Sequence, residues 1–252
     1  MRAVAGRSGM IKDLPFDDGI VYRPSPPPRG MKDQSQPDVI ESEVEFEESL
    51  PGVPVVVPLS VDELIDTEVN LSNSLNGKEG EEFKNNALID YHLNPDVSEL
   101  TRDEYLSLHV YTTELYRPIN SGLRGFSPDD KVKWSKVVQE ADSALEKMSK
   151  NSDLKFEGMI FRGDKFSDEL IDKLFPEGGV HQDLAFKSSS HDPEKAFSGN
   201  TQIKIMSKSG VKIEDVSVIS TESEVLFRPG TKFKVISKRR TGEKYFISLE
   251  EI

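Results

Sequence analysis

The chain has 252 residues, a formal net charge of −13 and no cysteine. Without cysteine there is no disulfide, no thiolate nucleophile and no zinc–thiolate site. The acidic balance argues against general binding to nucleic acid or to an anionic membrane surface, since phosphate contacts need clustered Lys and Arg.

The length allows one full domain with an appendage, or two small domains. Nine of the fifteen prolines fall within residues 1–60, including Pro24-Ser25-Pro26-Pro27-Pro28, and the same segment holds the acidic stretch Glu41-Ser42-Glu43-Val44-Glu45-Phe46-Glu47-Glu48. Such a segment buries too little apolar area to offset its ordering entropy. It reads as a disordered leader, either a passive tail or a site for a chaperone or delivery partner. The first residues lack the apolar core of a signal peptide. Nor does any apolar run reach the ~20 residues that span a bilayer. Action outside the producing cell would therefore need secretion or injection without a cleaved signal; otherwise the protein is cytoplasmic.

From residue 61 the pattern turns helical. Ser60 is a good N-cap for a short helix at Val61-Asp62-Glu63-Leu64-Ile65. Glu81 to Leu93 predicts a second helix. Thr101-Arg102-Asp103-Glu104 is a capping-box sequence that opens a helix bearing Tyr105, Leu108, Leu115 and Tyr116. Ser127-Pro128 supplies an N-cap and a first-turn proline. The helix behind it spaces Trp134, Val137, Val138, Ala141, Leu145 and Met148 as a core stripe. After about Lys155 short strands take over, at 156–161, 183–187, 201–207, 224–228, 231–238 and 244–249. One helix intervenes at about Ser167–Phe175, and a shorter one is expected at Pro193–Phe197. Helices first and strands later predict an α+β fold, with a helical part at about 61–150 and a strand-rich part at about 155–252. The basic run Lys238-Arg239-Arg240 before Thr241-Gly242 reads as a hairpin turn. His92, His109, His181 and His191 lack ligand spacing, so no metal is expected.

Three apolar segments end in polar groups. Met159-Ile160-Phe161 leads to Arg162-Gly163-Asp164. Leu184-Ala185-Phe186-Lys187 leads to Ser188-Ser189-Ser190. Ser220-Thr221-Glu222-Ser223-Glu224 opens the run Val225-Leu226-Phe227. The last segment reads as the mouth of a strand, whose period of two puts Glu222 and Glu224 on the same face. Taken singly, each has an ordinary reading: an ion-paired arginine at a strand end, or solvated carboxylates at a strand edge.

The ordered set resembles the mono-ADP-ribosyltransferases of the arginine, Ser-x-Ser, Glu-x-Glu type, a family of bacterial exotoxins, injected effectors and phage-encoded modifying enzymes. The likeness covers about residues 85–252. Tyr111-Thr112-Thr113 and Ile119-Asn120-Ser121-Gly122-Leu123-Arg124 are similar to the family's helical part. Pro229 to Ile236 and Tyr245 to Leu249 are similar to its closing strand pair. The middle hydroxyl, often Thr, is here Ser189.

This resemblance implies N-terminal helices packed on a mixed, mostly antiparallel two-sheet core, with residues 61–252 as the catalytic domain. It implies NAD as co-substrate and an arginine side chain of a target protein as acceptor. Breaking the nicotinamide–ribose bond develops an oxocarbenium-like sugar, which a nearby carboxylate stabilises. That role falls to Glu224, with Ser188 as its hydroxyl partner. Glu222 would bind the acceptor guanidinium and help remove its proton, because a group with a pKa above about 12 is a poor nucleophile. Arg162 would grip the pyrophosphate, Gly163 would let the backbone approach the nicotinamide amide, and Phe197 would pack on the nicotinamide ring unless it is simply core. The segment from Ser207 to Thr221 would present Glu222. NAD hydrolysis, transfer to a non-protein acceptor, or an inactive interaction protein of the same fold are the alternatives.

Overall fold

The helix starts lie where the capping signals put them. In a computed structural model describing residues 58–69, 79–196, 199–218, 221 and 223–252, helix α1 (Val61–Leu64) follows Ser60. The Ser60 hydroxyl accepts the Glu63 N–H, and the Glu63 carboxylate accepts the Ser60 N–H at 2.9 Å. This reciprocal box satisfies two N–H groups that the first turn leaves open. A π-helical turn continues it from Ile65 to Val69. Nearly all of the expected leader, residues 1–60, lies outside the described residues.

Helix α2 covers Glu79–Leu93. Helix α3 (Arg102–Tyr111) uses the Thr101–Glu104 box as expected. The single helix expected to carry both Tyr105 and Tyr116 is two: α4 (Tyr116–Arg124) starts after a turn and ends at Gly125, φ 79°. The helix expected behind Ser127 is also two, α5 (Pro128–Lys133) and α6 (Ser135–Met148), interrupted at Trp134. The Trp134 ring is fully buried in the helical core, a larger group than any other along that stripe.

The strands are β1 (Lys155–Asp164), β2 (Val180–Gln182), β3 (Lys187–Ser190), β4 (Thr201–Lys212), β5 (Glu224–Phe227), β6 (Lys232–Thr241) and β7 (Lys244–Glu251). Helix α7 (Asp168–Leu174) lies between β1 and β2. Their order is β1-β3-β5-β4-β7-β6-β2, and β1 also pairs with β4. Every pairing is antiparallel except β4 with β7. The two expected layers are thus limbs of one hydrogen-bonded sheet, joined at β4, which pairs with β1 along nearly its whole length, with β7 at its start and with β5 at its end.

Two expectations move. The strand expected at 183–187 is not one: Ala185 and Phe186 are buried in irregular chain, and the strand is the polar Lys-Ser-Ser-Ser that follows. The apolar run anchors the segment; backbone pairing to β1 and β5 on either side makes β3. The short helix expected at Pro193–Phe197 is a turn over its described residues. Asp192 accepts the Glu194 N–H on its side chain and the Lys195 N–H on its carbonyl, a local pairing that competes with helix.

Two apolar clusters result. One gathers α1 to α4, Trp134 and α6 with Phe186, Val211, Ile213, Val216 and Leu226. The other lies among the strands and α7 and includes Ile160, Ile203, Val225, Phe227 and Phe233. Strand β5 serves both, because its alternate side chains face opposite ways. Leu226 enters the helical core, while Val225 and Phe227 enter the strand core.

Candidate active site

The three polar motifs meet on adjacent strands. Phe161 of β1 lies across from Ser190 of β3, and Ser190 lies across from Glu224 of β5. Arg162 stands next to that crossing. Its Nε and Nη2 hold the two oxygens of Asp164 at 2.6 and 3.0 Å, and its Nη1 donates to the Ser188 carbonyl at 2.5 Å. Arginine and aspartate are two apart on one strand, so they share a face. Burial opposes the charge of Arg162, but the Asp164 and Asp183 carboxylates outweigh it and raise its pKa.

Asp164 in turn rests against Gly199. A Cβ added at Gly199 would stand 2.0 Å from the Asp164 carbonyl oxygen, so no other residue fits without moving β1. Gly163 is buried in β1 and lies across from Gln202.

Glu224 is buried at the first position of β5. The residue directly across is Ser190; Ser188 is one pleat further along, across from Leu226, and half-buried. The Ser190 hydroxyl donates to the Ser223 carbonyl at 3.3 Å and accepts the Asp192 N–H at 3.1 Å. Ser189 points the other way, and its buried hydroxyl has no partner among the described residues.

Ser223 itself has φ 51°. This left-handed residue ends the pleat, so strand alternation does not carry back from Glu224 to Glu222. Three contacts pin it: its carbonyl also accepts the His191 N–H at 3.0 Å, and its hydroxyl accepts Lys195 Nζ at 2.8 Å. Glu222 and Phe197 lie outside the described residues.

The segment leading to Glu222 is shorter than expected, because β4 runs on to Lys212. The Glu251 carboxylate accepts the Lys208 and Ser209 N–H groups, and residues 210 and 211 still pair with β1. What remains, from Ile213, is bolted down at its start. His191 Nε2 meets Glu214 Oε1 at 2.8 Å, His109 Nδ1 donates to the Val216 carbonyl at 2.7 Å, and the Val218 N–H donates to Thr112 Oγ1 at 3.0 Å. Burial holds His109 below its usual pKa, and a carbonyl partner places the proton on Nδ1.

The helices close the site from the other side. Tyr111 packs on Phe186 with ring centroids 4.9 Å apart, and its hydroxyl accepts Asn120 Nδ2 at 3.1 Å. Burial raises the Tyr111 pKa, and the nearby Glu224 charge adds to the rise. The Asn120 Oδ1 is buried without a partner among the described residues. Arg124 forms a two-point ion pair with Asp183, at 3.0 and 2.8 Å. Asp183 is nearly buried, yet Lys187 and Arg124 hold its pKa below the usual range despite that burial. Asp183 gave no sequence signal of its own. Arg124 and Tyr111 were legible only through the resemblance, without assigned roles.

A sheet limb with an arginine-bearing strand, a serine-bearing strand and a glutamate-bearing strand side by side, closed by helices, is the arrangement of an ADP-ribosyltransferase cleft. The chain belongs to the NAD:arginine ADP-ribosyltransferase family, whose model matches residues 60–252. It is 33% identical over 153 residues to the putative NAD(+)–arginine ADP-ribosyltransferase Mav of Mycobacterium avium, covering 59% of this chain and 17% of that one. It is 35% identical over 156 residues to the NAD(+)–protein-arginine ADP-ribosyltransferase Tre1 of Pseudomonas putida, covering 61% and 30%. The chain therefore spans less than a third of these relatives' lengths. Among solved structures it is similar in fold to the type III effector XopAI of Xanthomonas axonopodis, with a TM-score of 0.64 at 18% identity over 76% of this chain and 87% of that one. The ADP-ribosyltransferase HopU1 of Pseudomonas syringae gives 0.57 at 21% identity over 77% and 88%.

Proposed function

We propose that this protein transfers ADP-ribose from NAD to an arginine side chain of a target protein and releases nicotinamide. The observation that carries this reading is the contiguity of Arg162, Ser188 and Ser190, and Glu224 on β1, β3 and β5.

In the reaction the ribose C1′–nitrogen bond breaks and its electron pair leaves with nicotinamide. The sugar gains positive charge at C1′, and the carboxylate of Glu224, fixed at the start of a buried strand, stabilises that charge as it forms. Arg162, already aligned by Asp164, offers its remaining N–H groups to the pyrophosphate. Gly163 brings backbone close to the nicotinamide amide, and Phe197 packs on its ring. Ser188 and Ser190 keep the floor of the cleft polar. A guanidinium nitrogen of the acceptor then bonds to C1′ and loses one proton. Glu222 receives that acceptor and takes the proton. The firm anchoring of Ile213–Val218 and of Ser223 supports this role, since it fixes both ends of the short stretch that carries Glu222.

The names of several relatives favour a toxin or effector directed at a foreign protein, and the leader is then the segment for a chaperone or delivery partner. No helix among the described residues is long and apolar enough to cross a membrane.

The test is incubation of the purified chain with labelled NAD and polyarginine, beside Glu224→Ala and Glu222→Gln. Wild type should label the acceptor and Glu224→Ala should not; Glu222→Gln should keep NAD hydrolysis and lose transfer. Absence of both transfer and hydrolysis in wild type would leave only the fold in common with the family.

A further inference from the structure

The site holds two cations that the reaction above does not use, and only one of them, Lys187, lacks a hydrogen-bonded carboxylate. Lys187 directly precedes Ser188 on β3, and its side chain is only 7% exposed. Its nearest carboxylate oxygen is Asp183 Oδ2 at 3.7 Å, too far for a hydrogen bond. Among the described residues its ammonium donates no hydrogen bond. Asp183 is already spent: Arg124 holds both its oxygens, and the Ala185 N–H donates to Oδ1 at 3.0 Å. Asp164 is likewise taken by Arg162.

Three cations, Arg124, Arg162 and Lys187, thus share two carboxylates, each committed to an arginine. A buried ammonium with unspent donors is costly to the free protein. Burial leads in pushing Lys187 down to about 8, and Arg162 and Arg124 push the same way against the pull of Asp183 and Asp164. His181, buried on β2, is also lowered, to about 3, by burial and then by Lys187, so it stays neutral and adds no charge there. What the cluster lacks is a negative group from outside. Arg162 has three N–H groups already engaged, and one guanidinium does not balance a dianionic diphosphate.

We propose that Lys187 is a second phosphate-binding cation of the donor cleft, donating to the pyrophosphate of the dinucleotide beside Arg162. This rests on reading the cleft as the NAD site. It also accounts for a polar strand whose first residue is a lysine buried across from Phe227.

The test is calorimetric titration of the full chain with NAD, with inorganic pyrophosphate and with nicotinamide riboside, which lacks the diphosphate. Wild type is compared with Lys187→Met and Lys187→Arg. The Met variant keeps the stem and removes the charge, so it should bind NAD and pyrophosphate about tenfold more weakly. It should bind the riboside as before and melt no lower than wild type without ligand. The Arg variant should recover most of the loss. Wild-type NAD affinity should fall between pH 7 and 9 as the free ammonium deprotonates, and the Met variant should lack that fall. Equal NAD affinity in wild type and Lys187→Met would overturn the proposal, as would parallel loss of NAD and riboside. Pyrophosphate binding that depends on Lys187 in a wild type blind to NAD would keep the anion site and reject the donor reading. Binding of neither would reject both.

Discussion

Replacing Arg162 by lysine keeps the charge and removes the fork. The guanidinium reaches Asp164 from its Nε/Nη2 edge and the Ser188 carbonyl from Nη1. A single ammonium on a flexible stem cannot serve both edges. At least one charge-assisted bond is lost, with a net value of about 1.5–3 kcal/mol. Water recovers part of it, because the Arg162 side chain is 24% exposed. A net loss of about 2 kcal/mol follows, or roughly 4–8 °C in melting temperature for a domain of this size. The tie between β1 and β3 also slackens, and a misplacement of about 1 Å lowers rate by about a hundredfold. Thermal denaturation of Arg162→Lys with and without NAD, together with NAD hydrolysis, reads both effects. A variant that melts within a degree or two of wild type and hydrolyses NAD normally would refute the reasoning, since the fork would then hold nothing.

Three further outcomes are expected. Glu224→Gln should leave folding and NAD affinity near wild type while lowering the rate of nicotinamide release by about 10²–10³-fold; a tenfold loss of affinity instead would make Glu224 a binding residue. Gly199→Ala should displace the Asp164 backbone and, through it, the Arg162 guanidinium, costing about 1–3 kcal/mol of stability with a larger loss of NAD binding than of melting temperature; unchanged binding would show that β1 yields there at no cost. Burial depresses His181 to about 3, so below the unfolded value of about 6.5 the unfolded chain binds a proton that the folded chain refuses. Stability should therefore drop as pH falls from about 6.5 towards 4, by about 1.4 kcal/mol per unit from this group. His181→Phe, which keeps an aromatic among Phe175 and Phe233, should flatten that slope, and an identical slope in urea titrations of both proteins would exclude His181 as its source.

The helical half was legible because its signals are local. Ser60, Thr101 and Ser127 each cap where the sequence places them. The interruption at Trp134 was not legible, because apolar spacing continues through it. Among the strands, β1, β5 and β7 were clear from their apolar runs, whereas β3 was hidden. Its residues are a lysine and three serines, and only pairing on both sides makes them a strand. The motif residues Arg162, Ser188 and Glu224 could be read from order and resemblance. Their supports Asp183 and Gly199 could not, since each depends on contacts far along the chain; Asp164 and Lys187 lie beside the motifs but carried no signal of their own. The period of two led from Glu224 to Glu222 only for as long as Ser223 was taken to be extended.

The closure of β1 onto β4 has a consequence for when activity appears. Strand β1 carries Arg162 but finds its longest pairing with β4, and β4 leans on β7, which ends at Glu251. The motifs are brought together by pairings of high sequence separation, the slow class of folding event. An unfolded chain therefore lacks the assembled cleft. Because β7 pairs along the start of β4, truncation within β7 should abolish NAD cleavage without removing a residue of the cleft.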